Sequence, residues 1–275
     1  MTSIVTLITD WGSDGAYSGA LKGLVLQATP SINFIDISHS IRPFDKLQAA
    51  FVLKNTYKFY PKGTVHIVGV GGKERVGQNT RIAFEKEGYY FLGANNGFWG
   101  LIFETPPVSF YELRLDSLLV FPELSCYANA ISTIIKNGSV ETVGKKLSSI
   151  TINYAPLPTV SSNVITGQVS FIDTFGNAIT NISRLDFNRI HNNRKFKIYI
   201  TSQRHFVDKI NDTYDQTDNL ELLAIFSYTG YLEIAMANAN VREMLNLQIG
   251  SVIRVVFEEQ LDSLDVEETP LLGKL

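Results

Sequence analysis

Two carboxylates in this 275-residue chain stand where apolar runs end and tight turns begin. Asp173 closes the alternating run GQVSFID (167–173), and a Phe175-Gly176-Asn177 turn leads into a second run that reaches Thr180 and Asn181. Alternation marks a strand and Gly-Asn between two runs marks a turn. An acid and an amide carried at a strand end are held rigidly, which suits gripping a polar ligand. Asp10 ends the buried-strand pattern at 4–9 and is followed by a Gly-bearing turn in LITDWGSDG (7–15). Ligands of open α/β sheets bind beyond the carboxyl ends of the strands. An acid there can accept two hydrogen bonds from the vicinal hydroxyls of a ribose. It can equally cap the next helix or order its own loop, and position alone does not separate these readings. No GxGxxG follows the strand, so this is not a dinucleotide fingerprint.

The other candidates are weaker one at a time. Pro43-Phe44-Asp45 opens a helix; Asp45 suits the positive end of its dipole, and Phe44 either walls a planar ligand or joins the core. Asn95-Asn96-Gly97 and Ser227-Tyr228-Thr229-Gly230 read as turns. The loop GGKERVGQN (71–79) carries Lys73, Glu74 and Arg75 but lacks the GK[ST] ending of a phosphate loop. His39 and His66 are not at metal-ligand spacing and read as structural, His191 and His205 lie in polar segments, and no metal is expected. The lone Cys126 allows no internal disulfide and reads as a small buried apolar residue.

These residues need a frame. Apolar residues make up 45% and charged residues 19%, a globular composition. Strand patterns at 4–9, 33–37 and 64–70 alternate with helix patterns at 18–27 and 44–59; a hairpin follows at 81–84 and 89–93, and a last helix at 125–136. That order predicts an α/β domain with a mainly parallel sheet covered on both faces. Strands at 165–172, 178–182, 196–200, 222–227, 231–236 and 251–257 predict a smaller C-terminal β-barrel. The expected division is an N-terminal domain at 1–152, a linker at 153–163 (NYAPLPTVSSN), a barrel at 164–258 and an acidic tail at 259–275. The net charge of -3 and the absence of a Lys/Arg-rich run argue against a nucleic-acid partner. No stretch reaches the ~20 apolar residues of a membrane helix and nothing resembles a signal peptide, so a soluble cytoplasmic protein is expected.

In order, TDWG (9–12), GALKG (19–23), DISHSI (36–41), GTVHIVGV (63–70), YYFLGANNG (89–97), FIDTFGNAITNI (171–182) and GYLEIA (230–235) make a specific set. Over nearly the whole chain it resembles the S-adenosyl-L-methionine (SAM) hydroxide adenosyltransferases, the SAM hydrolase family related to the fluorinase and chlorinase. The resemblance implies a homotrimer with SAM bound between subunits as substrate, and no cofactor. It implies that Asp10 holds the ribose hydroxyls, Phe44 stands as an aromatic wall, Asp173 binds the methionine ammonium and Asn177 the adenine edge. Asn96 joins the binding set, and Ser227 and Tyr228 fall in a turn that contacts the methionine carboxylate.

The family's water-activating acid, arginine and histidine are not matched. The acid's position is Gly71, the arginine's falls nearest Gln78, and the histidine's falls at Thr133 or Ile134. Glu74 and Arg75 are therefore the candidate catalytic residues. The expected reaction is hydrolysis of SAM to adenosine and methionine; the alternatives are a weak or inactive SAM- or adenosine-binding protein and, least favoured, a halide-using transferase, whose tyrosine is also missing at Gly71.

Overall fold

The computed structural model describes residues 3–71, 80–114 and 121–258. The chain divides into two compact units, Met1–Pro156 and Leu157–Leu275.

In the first unit, strands β1 (Ser3–Thr9), β2 (Ile32–Ser38), β3 (Val65–Gly69), β4 (Arg81–Lys86), β5 (Tyr89–Ala94), β6 (Phe110–Leu113) and β7 (Gly144–Leu147) form one sheet in the order β2-β1-β3-β5-β4-β6-β7. Pairing is parallel from β2 through β5 and antiparallel from there to β7. Helices α1 (Ala16–Ala28), α2 (Lys46–Lys54) and α3 (Glu123–Asn137) cover it. The β-branched runs are buried on both sides, as parallel strands between helices must be. Leu7 and Ile67 face one core with Leu21 and Val25 of α1 and Ile131 of α3. Their neighbours Ile8 and Val68 face the other, with Ala49 and Leu53 of α2. Alternate side chains of one strand thus serve opposite cores.

The helix pattern at 44–59 is shorter in the structure. Phe44 has φ 66°, so it stands outside the helix. Asp45 is the N-cap, accepting the Gln48 N–H at 2.9 Å, and a short 3-10 turn at Tyr57–Phe59 follows the helix. A left-handed residue cannot continue a right-handed helix, so the first turn begins one cap later than apolar spacing suggests.

In the second unit, β8 (Thr159–Val160) pairs with β9 (Val164–Ile172), which belongs to a sheet built with β10 (Ala178–Ser183), β11 (Phe196–Ile200), β12 (Ser202–Val207), β13 (Leu222–Phe226), β14 (Tyr231–Met236) and β15 (Val252–Phe257). The order β12-β11-β15-β9-β10-β14-β13 brings the edge strands β12 and β13 near one another, giving a nearly closed barrel. Its core gathers Ile165, Val169, Ala178, Ile182, Ile234 and Val255. Two short helices, α4 (Arg184–His191) and α5 (Val241–Met244), attach to it. Among the described residues no helix is long and apolar enough to cross a membrane.

Candidate functional site

In the first unit the site forms where β1, β3 and β5 end. The Asp10 N–H donates to the Gly69 carbonyl at 3.2 Å, which prolongs the β1–β3 pairing by one residue and fixes the Asp10 backbone. Its carboxylate Oδ2 accepts the Phe44 N–H at 2.9 Å and the Gly71 N–H at 3.3 Å. Helix α1 has Gly15 as its N-cap and no side-chain cap, so Asp10 does not cap it; Asp10 instead ties together the loops after β2 and β3. Thr9, one residue back, bonds to His39 Nδ1 at 2.8 Å, and His39 Nε2 lies 3.1 Å from Asp36 Oδ1. Both histidines are structural in this sense. His66 is fully buried, bonds to Thr6 at 2.7 Å, and burial pushes its pKa from 6.5 down to about 3.

Phe44 exposes 66% of its surface beside Asp10. Asn96 is buried and committed to its own surroundings: its Oδ1 accepts the Phe98 N–H at 3.2 Å and its carbonyl accepts Lys46 Nζ at 2.9 Å. Gly71 has φ 78°, and a Cβ there would stand 2.9 Å from Asn96 Nδ2. The backbone that lets Gly71 reach Asp10 is one that an acidic residue would adopt only under strain. Glu74 and Arg75, the catalytic candidates, lie outside the described residues, as does Gln78.

A recess of about 40 Å³ opens beside Asp10, lined among others by Gly71, Arg81, Phe121, Glu123 and Tyr127. That volume is enough for a few water molecules. Arg81, the first residue of β4, pairs with Glu123, the first residue of α3, at 2.7 Å, and both side chains are nearly buried. Trp11, Tyr17 and Phe121 make an aromatic rim, with Phe121 5.5 Å from Trp11 and 4.9 Å from Tyr17 between ring centres. Neither Thr133 nor Ile134 of α3 lines this recess. Ile134 is in the core and the Thr133 hydroxyl donates to the Asn129 carbonyl, whereas Glu123 and Tyr127, at the N-terminal end of the helix, line the recess. Helical spacing allows only one end of α3 to face this recess, and the sequence pattern started the helix too late to include Glu123.

In the second unit, Asp173 and Asn177 are joined directly. Asp173 Oδ1 accepts the N–H groups of Phe175 and Asn177 at 2.9 and 2.8 Å, and Oδ2 accepts Asn177 Nδ2 at 3.1 Å. Gly176 has φ 84° and packs so closely on Asn240 that a Cβ would overlap its side chain. Ser227 Oγ and Thr229 Oγ1 lie 2.7 Å apart, and Tyr228 is 78% exposed. The Ser227–Gly230 turn precedes β14, while the Asp173–Asn177 turn precedes the antiparallel β10, so the two turns stand at opposite ends of that strand pair. One buried acid escaped the sequence reading although GYLEIA contains it. Glu233 accepts the Tyr214 hydroxyl at 2.7 Å; burial foremost, and the negative charge of Asp173, raise its pKa against that hydrogen bond.

The N-terminal domain model of the SAM hydroxide adenosyltransferases matches residues 5–144 and the C-terminal domain model matches 167–254. The chain belongs to this family. Across 92% of its length it is 26% identical to 96% of the (R)-S-adenosyl-L-methionine hydrolase of Methanocaldococcus jannaschii. Over the same share of the chain it is 25% identical to 97% of a fluorinase from Actinoplanes sp.. The fold is also that of an uncharacterized conserved protein from Thermotoga maritima, with a TM-score of 0.80, 24% identity, and coverage of 92% of this chain and 99% of the other.

Proposed function

We propose that this protein hydrolyses SAM, water attacking the ribose 5′ carbon to release adenosine and methionine. The observation that carries the reading is membership of the family through both of its domains, with a SAM hydrolase relative aligned over nearly the full length of both chains. The chemistry asks little of the protein. The leaving group is a sulfonium that departs as a neutral thioether and needs no general acid. Catalysis then rests on in-line placement, a partly dehydrated nucleophile and a destination for its proton. In this reading Asp10 holds the ribose hydroxyls, Phe44 walls the sugar, and Asn96 braces the loop behind them. Asp173 takes the methionine ammonium and Asn177 the adenine edge; the Ser227–Tyr228 turn, at the opposite end of the β10–β14 pair, is too far away to hold the carboxylate of the same methionine within one copy.

Electrostatics favour water over a halide. Among the described residues, Asp10 and Glu123 bring two carboxylates to the recess against the guanidinium of Arg81, an unfavourable balance for an anion. We further place the protein in the cytoplasm as a homotrimer. The exposure of Phe44, Phe175 and Tyr228, at 66, 75 and 78%, supports their being covered by ligand or by another copy.

The test is incubation of the pure protein with SAM, with adenosine and methionine measured by chromatography in the presence and absence of halide. Equal amounts of the two products, independent of halide, are expected. SAM binding by calorimetry without any adenosine would replace this reading with that of a binding protein, and halide-dependent loss of SAM would replace it with the transferase.

A further inference from the structure

A reaction in which water attacks carbon needs an acceptor for the water's proton, and the position of the family's acid is taken by a glycine that cannot easily be anything else. The recess beside Asp10 has a nearly buried charged pair in its wall. Arg81 is 4% exposed and Glu123 is nearly buried, yet they meet at the wall of a space sized for water rather than in the packed core. Desolvating two charges is costly, and apolar residues in such places are commonly as stabilising. A charged pair kept in a recess is a candidate for chemistry. Resting on the hydrolase reading, we infer that Glu123 is the catalytic base, that Arg81 positions its carboxylate, and that the recess holds the attacking water.

The step balances without a further reactant. The water oxygen forms a bond to the ribose 5′ carbon as the carbon–sulfur bond breaks, and the electron pair of that bond returns to sulfur to give neutral methionine. The water's proton passes to the Glu123 carboxylate and from there to solvent. An oxygen bonding to carbon while still carrying two protons becomes strongly acidic, so an ordinary carboxylate is basic enough. The other groups facing Glu123 are poorer choices. Asp10, at the end of β1, already accepts two backbone N–H groups on Oδ2. Burial pushes the Tyr127 hydroxyl's pKa up and lifts that of the Cys126 thiol to about 12, which leaves both protonated. Arg81, from β4, has no basic form at these pH values. Glu123 is also held in the first turn of α3, at the positive end of the helix dipole.

The decisive experiment compares the full-length wild type with Glu123→Gln, measuring adenosine formation and SAM binding. Gln keeps the shape and an oxygen for Arg81 but not the basicity. The expected loss in kcat is roughly 10²- to 10⁴-fold, with the SAM dissociation constant within about threefold of wild type. Glu123→Ala should regain activity with added formate, which a merely structural role would not allow. A folded E123Q that keeps kcat within about threefold of wild type overturns the proposal, and so does an E123A that formate does not rescue. Should E123Q fail to fold by circular dichroism, Glu123→Asp keeps the pair with Arg81. Its carboxylate is withdrawn by one methylene, so kcat should fall by about tenfold or more at unchanged KM, and full activity would overturn the assignment. A wild type that binds SAM but never forms adenosine refutes the hydrolase reading itself, a result distinct from any of these.

Discussion

Asp10 and Asp173 look alike in sequence, each an acid at a strand end before a Gly-bearing turn, but they are held in opposite ways. The Asp173 carboxylate accepts from groups within four residues, so its geometry is set inside the β9–β10 hairpin, with Gly176 of the same turn braced by Asn240 and Arg242. The partners of Asp10 are 34 and 61 residues away, and its geometry exists only after the parallel sheet has assembled. A local carboxylate is thus a preformed grip, whereas a long-range one also joins its own site together. Substitution should separate the two roles.

The largest effect is expected at Asp10. Asp10→Ala leaves the Phe44 and Gly71 N–H groups without their acceptor and removes the proposed ribose ligand. Losing hydrogen bonds to a charged acceptor costs about 1.5–3 kcal/mol, which corresponds to roughly 10- to 150-fold weaker SAM binding by calorimetry. Thermal stability should fall with it, because the loops after β2 and β3 lose their tie. Asp173→Asn should behave differently. Its amide oxygen can still accept the Phe175 and Asn177 N–H groups, and the Asn177 amide need only flip to accept from the new NH2, so the melting temperature should hold while SAM affinity drops. Equal losses of stability in the two variants would erase the contrast, and unchanged affinity in both would remove the proposed pocket. Because the Asp173 and Ser227 turns stand at opposite ends of the β10–β14 pair, comparing methionine and adenosine as ligands of Asp173→Asn and Ser227→Ala would assign each turn to one part of SAM.

The difference between local and distant contacts also governs what could be read from the chain. Continuous apolar runs placed β1 and β3, and alternation placed β9 and β10, because a strand's pattern lies in consecutive residues. The Asp173 turn was legible for the same reason. Helix α4 was missed because it buries little besides Phe187, although Ser183 with Asp186 three residues on is a recognisable start. The Arg81–Glu123 pair joins residues 42 positions apart, and nothing in either neighbourhood announces it. Sheet order alone brings the start of β4 to the start of α3.

Gly71 offers a sharper cut through the same contrast. Restoring an acid there, Gly71→Asp, should not raise activity. The left-handed backbone costs a non-glycine residue roughly 1–2 kcal/mol, and the new Cβ would press on Asn96. The expected outcome is a protein about 2 kcal/mol less stable in denaturant titration, with adenosine formation no faster than wild type. A faster Gly71→Asp enzyme would mean that the loop re-forms around the acid and that Glu123 is dispensable.

The smallest expected effects, per pH unit, come from one buried titratable group in each unit, and they have opposite signs. His66 is neutral when folded, its pKa depressed from 6.5 to about 3, so the unfolded chain binds the extra proton as pH falls. Its share of stability is complete above pH 6.5 and is lost progressively toward pH 3. Going from pH 6.5 to 5.5 should cost about 1 kcal/mol. Glu233 has a raised folded pKa, so it holds its proton longer than the unfolded chain does. Its share is complete below the ordinary value of 4.5 and is lost as pH rises through the folded value. Denaturant titrations across pH 4 to 8 should therefore show the acid-side slope diminished in His66→Phe and the opposing slope diminished in Glu233→Gln. Loss of the same slope in both variants would mean that one of the two groups is not buried in the protonation state its surroundings impose.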